Sequence, residues 1–174
     1  MRLGVSKEQR LKVALLEASP DLLAYFRRRV APQDAPDLLG EVLVTAWRCV
    51  RDVPVPAEEA RMWLFRVARG ALRNYQRGDR RRWALADRIR DHAPTAHAPA
   101  ADTGIEIRDA ISRLPSDLAE VVALVHWEGM SLAETAQIVG VPASTARGRY
   151  QRAKDLLREA LSVSTAPIST DADS

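Results

Sequence analysis

Cysteine is all but missing: Cys49 is the only one in 174 residues, so neither an internal disulfide nor a thiolate metal cluster can form within the chain. Histidine is nearly as scarce. His92, His97 and His126 have no second ligand at metal-binding spacing, and the sequence calls for no metal and no cofactor. No uninterrupted apolar run approaches the roughly 18 to 20 residues of a membrane-spanning helix, and the opening MRLGVSKEQR lacks a secretory hydrophobic region. The expectation is a cytoplasmic protein without membrane insertion. Strand-like alternation and internal repeats are also missing, which leaves helix as the regular structure that the pattern supports. Glu58 and Glu59 are paired carboxylates, but neighbours on a helix point in different directions and no nucleophile accompanies them. The sequence reads as a non-enzyme.

What is present is arginine, unevenly spread. The formal net charge is only +3, yet residues 61–90 carry ten arginines against Asp79 and Asp87. A second basic block runs from Ser144 to Arg158, with Arg147, Arg149, Arg152, Lys154 and Arg158 against Asp155. A single charge run is usually a solvated helix face. Two blocks, each beside a recognisable motif, suggest a polyanion touched at two places.

Ser19-Pro20 reads as an N-cap with proline at the first helical position, and Leu22, Leu23, Phe26 and Val30 then keep a helical period up to Pro32. Asp34 is placed to cap the next helix, whose apolar stripe is Leu38, Leu39, Val42, Leu43, Ala46, Trp47 and Val50. Asp37, Glu41, Thr45 and Arg48 lie on its polar face. Val53, Pro54, Val55 and Pro56 form a stiff loop, because each proline fixes φ and removes a backbone donor. A third helix follows from about Ala57. Leu64, Val67, Ala68, Ala71, Leu72 and Tyr75 mark its core side, and Arg66, Arg69, Arg73, Arg77 and Arg80 recur on another. Trp63, between Met62 and Leu64, reads as core rather than as a wedge that melts DNA. Trp83 follows three arginines and either stacks on an unpaired base or caps the domain.

Asp91 to Gly104 has five alanines, two prolines and no large apolar residue, the composition of a linker. Beyond it, Ser131-Leu132-Ala133-Glu134 is a capping box that opens a helix. Gly140 supplies a C-cap, Val141-Pro142 turns the chain, and another helix starts near Ser144. This is a helix-turn-helix, with Ser144, Thr145, Arg147, Arg149 and Arg152 at the end suited to a major groove. Leu156, Leu157, Ala160 and Leu161 are expected to anchor the remainder in the core. A plain helical hairpin would share the turn but not the charge: residues 105–137 hold six acids and two arginines, and the second helix reverses that balance.

These motifs, in this order, resemble the extracytoplasmic-function sigma factors, two-domain relatives of the primary bacterial sigma subunit. The similarity spans Leu22 to Leu161. It implies an all-α fold of two small helical domains joined by a flexible linker, the second a helix-turn-helix. Expected boundaries are 11–90 for sigma domain 2, 91–104 for the linker, 105–161 for sigma domain 4 and 162–174 for a disordered tail. DAPDLLGEVLVTAWR, from Asp34 to Arg48, is similar to the family's helix that docks on core RNA polymerase. By that resemblance Asp37, Leu38, Glu41, Thr45 and Arg48 bind polymerase, and Trp47 belongs to the core. WLFRVARGALRNYQRGDRRR, from Trp63 to Arg82, looks like the helix that engages the minus-ten element. The loop from Val53 to Pro56 either holds a flipped base there or is a rigid joint.

LPSDLAEVVALVHWEGMSLAETAQIVGVPASTARGRYQRAKDLLREAL, from Leu114 to Leu161, looks like the domain that reads the minus-thirty-five element. The chain departs from the family's usual residues at Gly40, Gly70 and Gly148, the last replacing a serine able to bond phosphate. The implied partners are core polymerase and promoter DNA, with an anti-sigma factor left open. Two alternatives remain at this point: a DNA-binding regulator that ignores polymerase, and a helical adaptor that binds only protein.

Overall fold

Every regular element among the described residues of the computed structural model, 6–87 and 104–164, is helical. Backbone contacts divide the chain into two compact units, the first holding three α-helices.

In the first unit α1 runs Lys7–Arg27, four residues ahead of the expected domain start at residue 11. Its N-cap is Ser6, whose extended backbone lets the side chain accept from the Gln9 amide at 3.2 Å. Ser19-Pro20 is therefore not a helix start. Pro20 lies inside α1, and the Ser19 hydroxyl donates to the Leu15 carbonyl one turn back. An interior proline costs a helix about 3 kcal/mol. The helix continues because Leu11, Leu15, Ala18, Leu22 and Phe26 form one buried line through the proline, with Tyr25 beside it. It ends at Arg27, ahead of Pro32. There the Arg29 guanidinium lies 3.8 Å over the Tyr25 ring and donates to the Tyr25 carbonyl at 2.8 Å.

The second helix, α2, spans Ala35–Arg48 and buries Ala35, Leu38, Val42 and Ala46. Asp34 sits at its N-cap without a capping bond from the side chain. The Asp34 carboxylate instead accepts from the Tyr75 hydroxyl at 2.6 Å. A 3-10 turn, Val50–Asp52, leads through the proline loop into α3, Ala57–Asp87. The three helices pack mutually. Their core centres on Tyr25, Phe26, Leu64 and Phe65, with Tyr25 edge-on to Phe65 at 5.7 Å between ring centroids.

Further helices follow along the chain, α4 (Gly104–Ser112), α5 (Ser116–His126), α6 (Leu132–Val139) and α7 (Ala143–Ser164), of which α4, α5 and α7 belong to the second unit. Gly104, expected in the linker, opens α4, and Ser162 to Ser164, expected in the tail, complete α7. The remainder of the Asp91 to Gly104 segment lies outside the described residues apart from that glycine, as does 165–174. Ile111, Leu118, Val122 and Ala153 form a core where α4, α5 and α7 meet, with Leu156, Leu157 and Tyr150 packed against it. Ala160, expected to join them, is exposed. It lies on the same side of α7 as Ala146 and Ala153, which are fully buried, but about two turns beyond Ala153, where that side is no longer covered.

Candidate nucleic-acid interface

The α2 face away from the core carries Asp37, Glu41, Thr45 and Arg48, all exposed. Leu38, expected among the contacts, is 2% exposed, because its place on the helix points it between α1 and α3. It supports the face rather than belonging to it. Trp47 departs in the opposite sense. Expected in the core, it is 42% exposed and shares the outer side of α2 with Val44, 51% exposed. An apolar surface thus accompanies the charged one, and an exposed tryptophan on a partly charged face is typical of a protein contact.

In the proline loop the residues separate by role. Val53 is buried and anchors the loop, Pro54 is half-buried, and Val55 and Pro56 are exposed, Val55 to 74%. The Pro56 carbonyl accepts from the Ala60 amide at 2.9 Å, so the loop is continuous with the first turn of α3. Along α3, Arg66, Arg73 and Arg77 are exposed opposite the stripe of Leu64, Ala68 and Leu72. Arg69 is half-buried and already engaged in an interaction. Met62 is buried, whereas Trp63, expected in the core, is half-buried. Arg80 and Trp83 belong to α3, and their side chains lie outside the described residues.

The capping box forms as the sequence predicts. The Ser131 amide donates to Glu134 Oε2 at 2.7 Å, and the Glu134 amide donates to Ser131 Oγ at 3.2 Å. Gly140 takes φ +76°, a value that most side chains resist, and the Val141 amide donates to the Ala136 carbonyl at 3.0 Å across it. This is a Schellman-type stop. The chain turns there and α7 begins at Ala143, so Ser144 and Thr145 stand exposed in its first turn.

Arg147 and Arg152 are exposed on α7, but Arg149 is half-buried. Its Nε lies 3.2 Å from Asp117 Oδ2 of α5. At about 100° per residue, Arg149 falls beside the buried line of Ala146 and Ala153. Arg149 is thus turned partly toward α5, whereas Arg152 is exposed. Spacing of three places two residues on neighbouring lines of a helix, and here one line borders the core. The signal was legible in the small apolar residues at 146 and 153, three before and four after the arginine.

Among the described residues no cluster of metal-ligating side chains occurs, and no helix is long and apolar enough to cross a membrane. Sequence profiles match in two places: Sigma-70 region 2 over residues 15–82, and Sigma-70 region 4 over residues 104–157. Among curated proteins, the RNA polymerase sigma-E factor of Streptomyces avermitilis is 32% identical over 155 residues, covering 81% of this chain and 79% of that protein. The ECF RNA polymerase sigma factor SigL of Mycobacterium tuberculosis is 29% identical over 128 residues, covering 71% and 72%. Among solved structures, the sigma factor RpoE of Bartonella quintana, in complex with the anti-sigma factor NepR, superposes with a TM-score of 0.69 at 24% identity. That alignment covers 87% of this chain and 96% of the other. CnrH, in complex with the cytosolic domain of CnrY, aligns with a TM-score of 0.62 at 22% identity, covering 88% of each chain.

Proposed function

This chain belongs to the extracytoplasmic-function group of sigma-70 factors, and on that premise we propose how its surfaces divide the work. It is an RNA polymerase sigma factor for promoter recognition and transcription initiation, with core polymerase and promoter DNA as partners. The observation that carries this is the presence of regions 2 and 4 in one chain. A regulator that ignored polymerase would have no use for region 2, and an adaptor that bound only protein would not need two arginine-bearing helices.

In our reading, α2 docks on core polymerase through Asp37, Glu41, Thr45 and Arg48, with Trp47 and Val44 adding apolar area. Their shared exposure supports this. The exposed pair Val55 and Pro56, held by Val53 and Pro54, meets the minus-ten element. Arg66, Arg73 and Arg77 of α3 follow its backbone, joined by Arg69 and Arg80. Ser144, Thr145, Arg147 and Arg152 of α7 read the minus-thirty-five element, phosphates positioning the helix and base edges supplying specificity. The domains divide at the segment between α3 and α4. Melting of the duplex is part of the same proposal.

Sigma factors are non-catalytic regulatory proteins. That this chain is no enzyme, needs no cofactor and works in the cytoplasm beside polymerase extends the same reading. An anti-sigma partner is a further part of the proposal, supported by RpoE having been captured with the anti-sigma factor NepR. Promoter-directed transcription with core polymerase, with and without this chain, tests the whole. Specific transcripts should appear only when the chain is added. Their absence, with specific DNA binding retained, would favour a regulator that works without polymerase docking.

A further inference from the structure

We infer that Arg149 is a positioning residue whose pairing with Asp117, together with the neighbouring Tyr150 to His126 contact, sets the rotation of α7 in its seat on α5. This rests on the reading of α7 as the helix that meets promoter DNA. Two consecutive residues of α7 reach opposite ends of α5. Arg149 Nε is 3.2 Å from Asp117 Oδ2 in the first turn of α5, and Tyr150 OH is 3.0 Å from His126 Nε2 in the last. The Tyr150 and His126 rings also stack, with centroids 5.8 Å apart. Nine residues of helix separate the two anchor points, about 13 Å along the α5 axis. Side chains leaving α7 about 100° apart thus grip both ends of the helix beneath it.

A brace of this form resists rotation of α7 about its own axis, which apolar packing alone resists poorly. Ala146 and Ala153, fully buried on α7 near the crossing, are too small to interlock, and the larger Leu156 and Leu157 that pack beside them are only partly buried. On a helix of about 5 to 6 Å radius, a turn of about 20° moves a side-chain tip by about 2 Å. That exceeds the tolerance of a hydrogen bond. The aim of Arg147 and Arg152 at DNA is therefore set by their neighbour. The Arg149 to Asp117 pair is partly exposed, with side chains 28% and 49% accessible, so it selects a geometry without contributing much to folding.

Two roles for Asp117 predict opposite signs. A carboxylate that merely stood near DNA would repel phosphate, and its removal would tighten binding. A brace predicts the reverse. The test measures binding of promoter DNA by the full chain with core polymerase across a salt series, for Asp117→Ala, Arg149→Ala, the double variant, the charge exchange Asp117→Arg with Arg149→Asp, Arg147→Ala and Arg152→Ala. Asp117→Ala and Arg149→Ala should each weaken binding by about five- to ten-fold, as when one base-edge contact is lost. The double variant should be no worse than either. The exchange should restore most of the loss, and helical circular dichroism should be unchanged throughout.

The slope of log affinity against log salt should match wild type in these variants, because no phosphate contact is lost. In Arg152→Ala it should fall by about 0.9 if that residue meets phosphate. Tighter binding by Asp117→Ala, or a reduced slope in Arg149→Ala, would overturn the inference and make Arg149 a DNA contact. Unfolding of Arg149→Ala, with the charge exchange failing to refold it, would overturn it in favour of a purely structural pair. Wild-type affinity and slope in Arg152→Ala, with Arg147→Ala equally silent, would instead sink the reading of α7 as the DNA helix, and the brace with it.

Discussion

At the scale of single residues, neighbours on one helix have opposite fates. Leu38 lies one position from Asp37 and is buried, while Asp37 and Glu41 face solvent. Charge reversal at both, Asp37→Lys with Glu41→Lys, should abolish co-purification with core polymerase and leave the helical circular dichroism unchanged. Leu38→Ala should do the converse, lowering stability by about 2 to 5 kcal/mol, as expected when a buried leucine is removed. Wild-type yield of the polymerase complex from the double reversal would show that the docking face is elsewhere. A second residue-scale case is Thr135 on α6. It is fully buried, and its Oγ1 has no hydrogen-bond partner among the described residues. A desolvated, unpaired hydroxyl is destabilising, and valine has nearly the same shape. Thr135→Val should therefore raise stability by about 1 kcal/mol in a denaturant melt.

At the scale of elements, the caps and stops were legible in the sequence wherever the chemistry is local. Ser131 and Glu134 bond each other's amides, and Gly140 takes the positive φ that a helix stop of this kind requires. Reading failed where packing overrode a local preference. Ser19-Pro20 has the form of a helix start, yet α1 runs through it, because Leu22, Tyr25 and Phe26 continue the buried surface begun by Leu11 and Leu15. Asp34 is in capping position, but a hydroxyl 41 residues away claims its carboxylate. The proline leaves a measurable trace. Pro20 is exposed, so Pro20→Ala removes no buried contact and restores a backbone donor. It should stabilise the first unit by about 1 to 3 kcal/mol. No rise in melting temperature would mean that the helix already accommodates the proline without strain.

At the scale of the molecule, two units offer two modest DNA contacts, and each is expected to bind weakly alone. Joining them makes the second contact intramolecular once the first is made, a gain of about 10² to 10⁴ in effective affinity when the geometry permits both. Cutting the chain at a protease site inserted between Asp91 and Gly104 should therefore reduce promoter-dependent transcription at limiting concentration, by about 10²-fold or more. Raising the concentration of both pieces should recover part of it. Undiminished transcription after complete cutting would count against tethering as the reason the two units share a chain.

Helical class, the two-part layout, the capping box and both basic blocks were determined by the sequence itself. They depend on periodicity, on composition and on residues within a few positions of one another. The tertiary structure decided which side of each helix is available. Trp47 is outside although it is the largest apolar residue of its stripe, and Val53 is inside although it sits in a loop. Arg149 was claimed by Asp117, 32 positions earlier, through a contact that exists only once α7 has crossed α5. A helical period sorts residues into lines along a cylinder, and only the packing of cylinders against one another settles which lines meet protein and which remain for DNA.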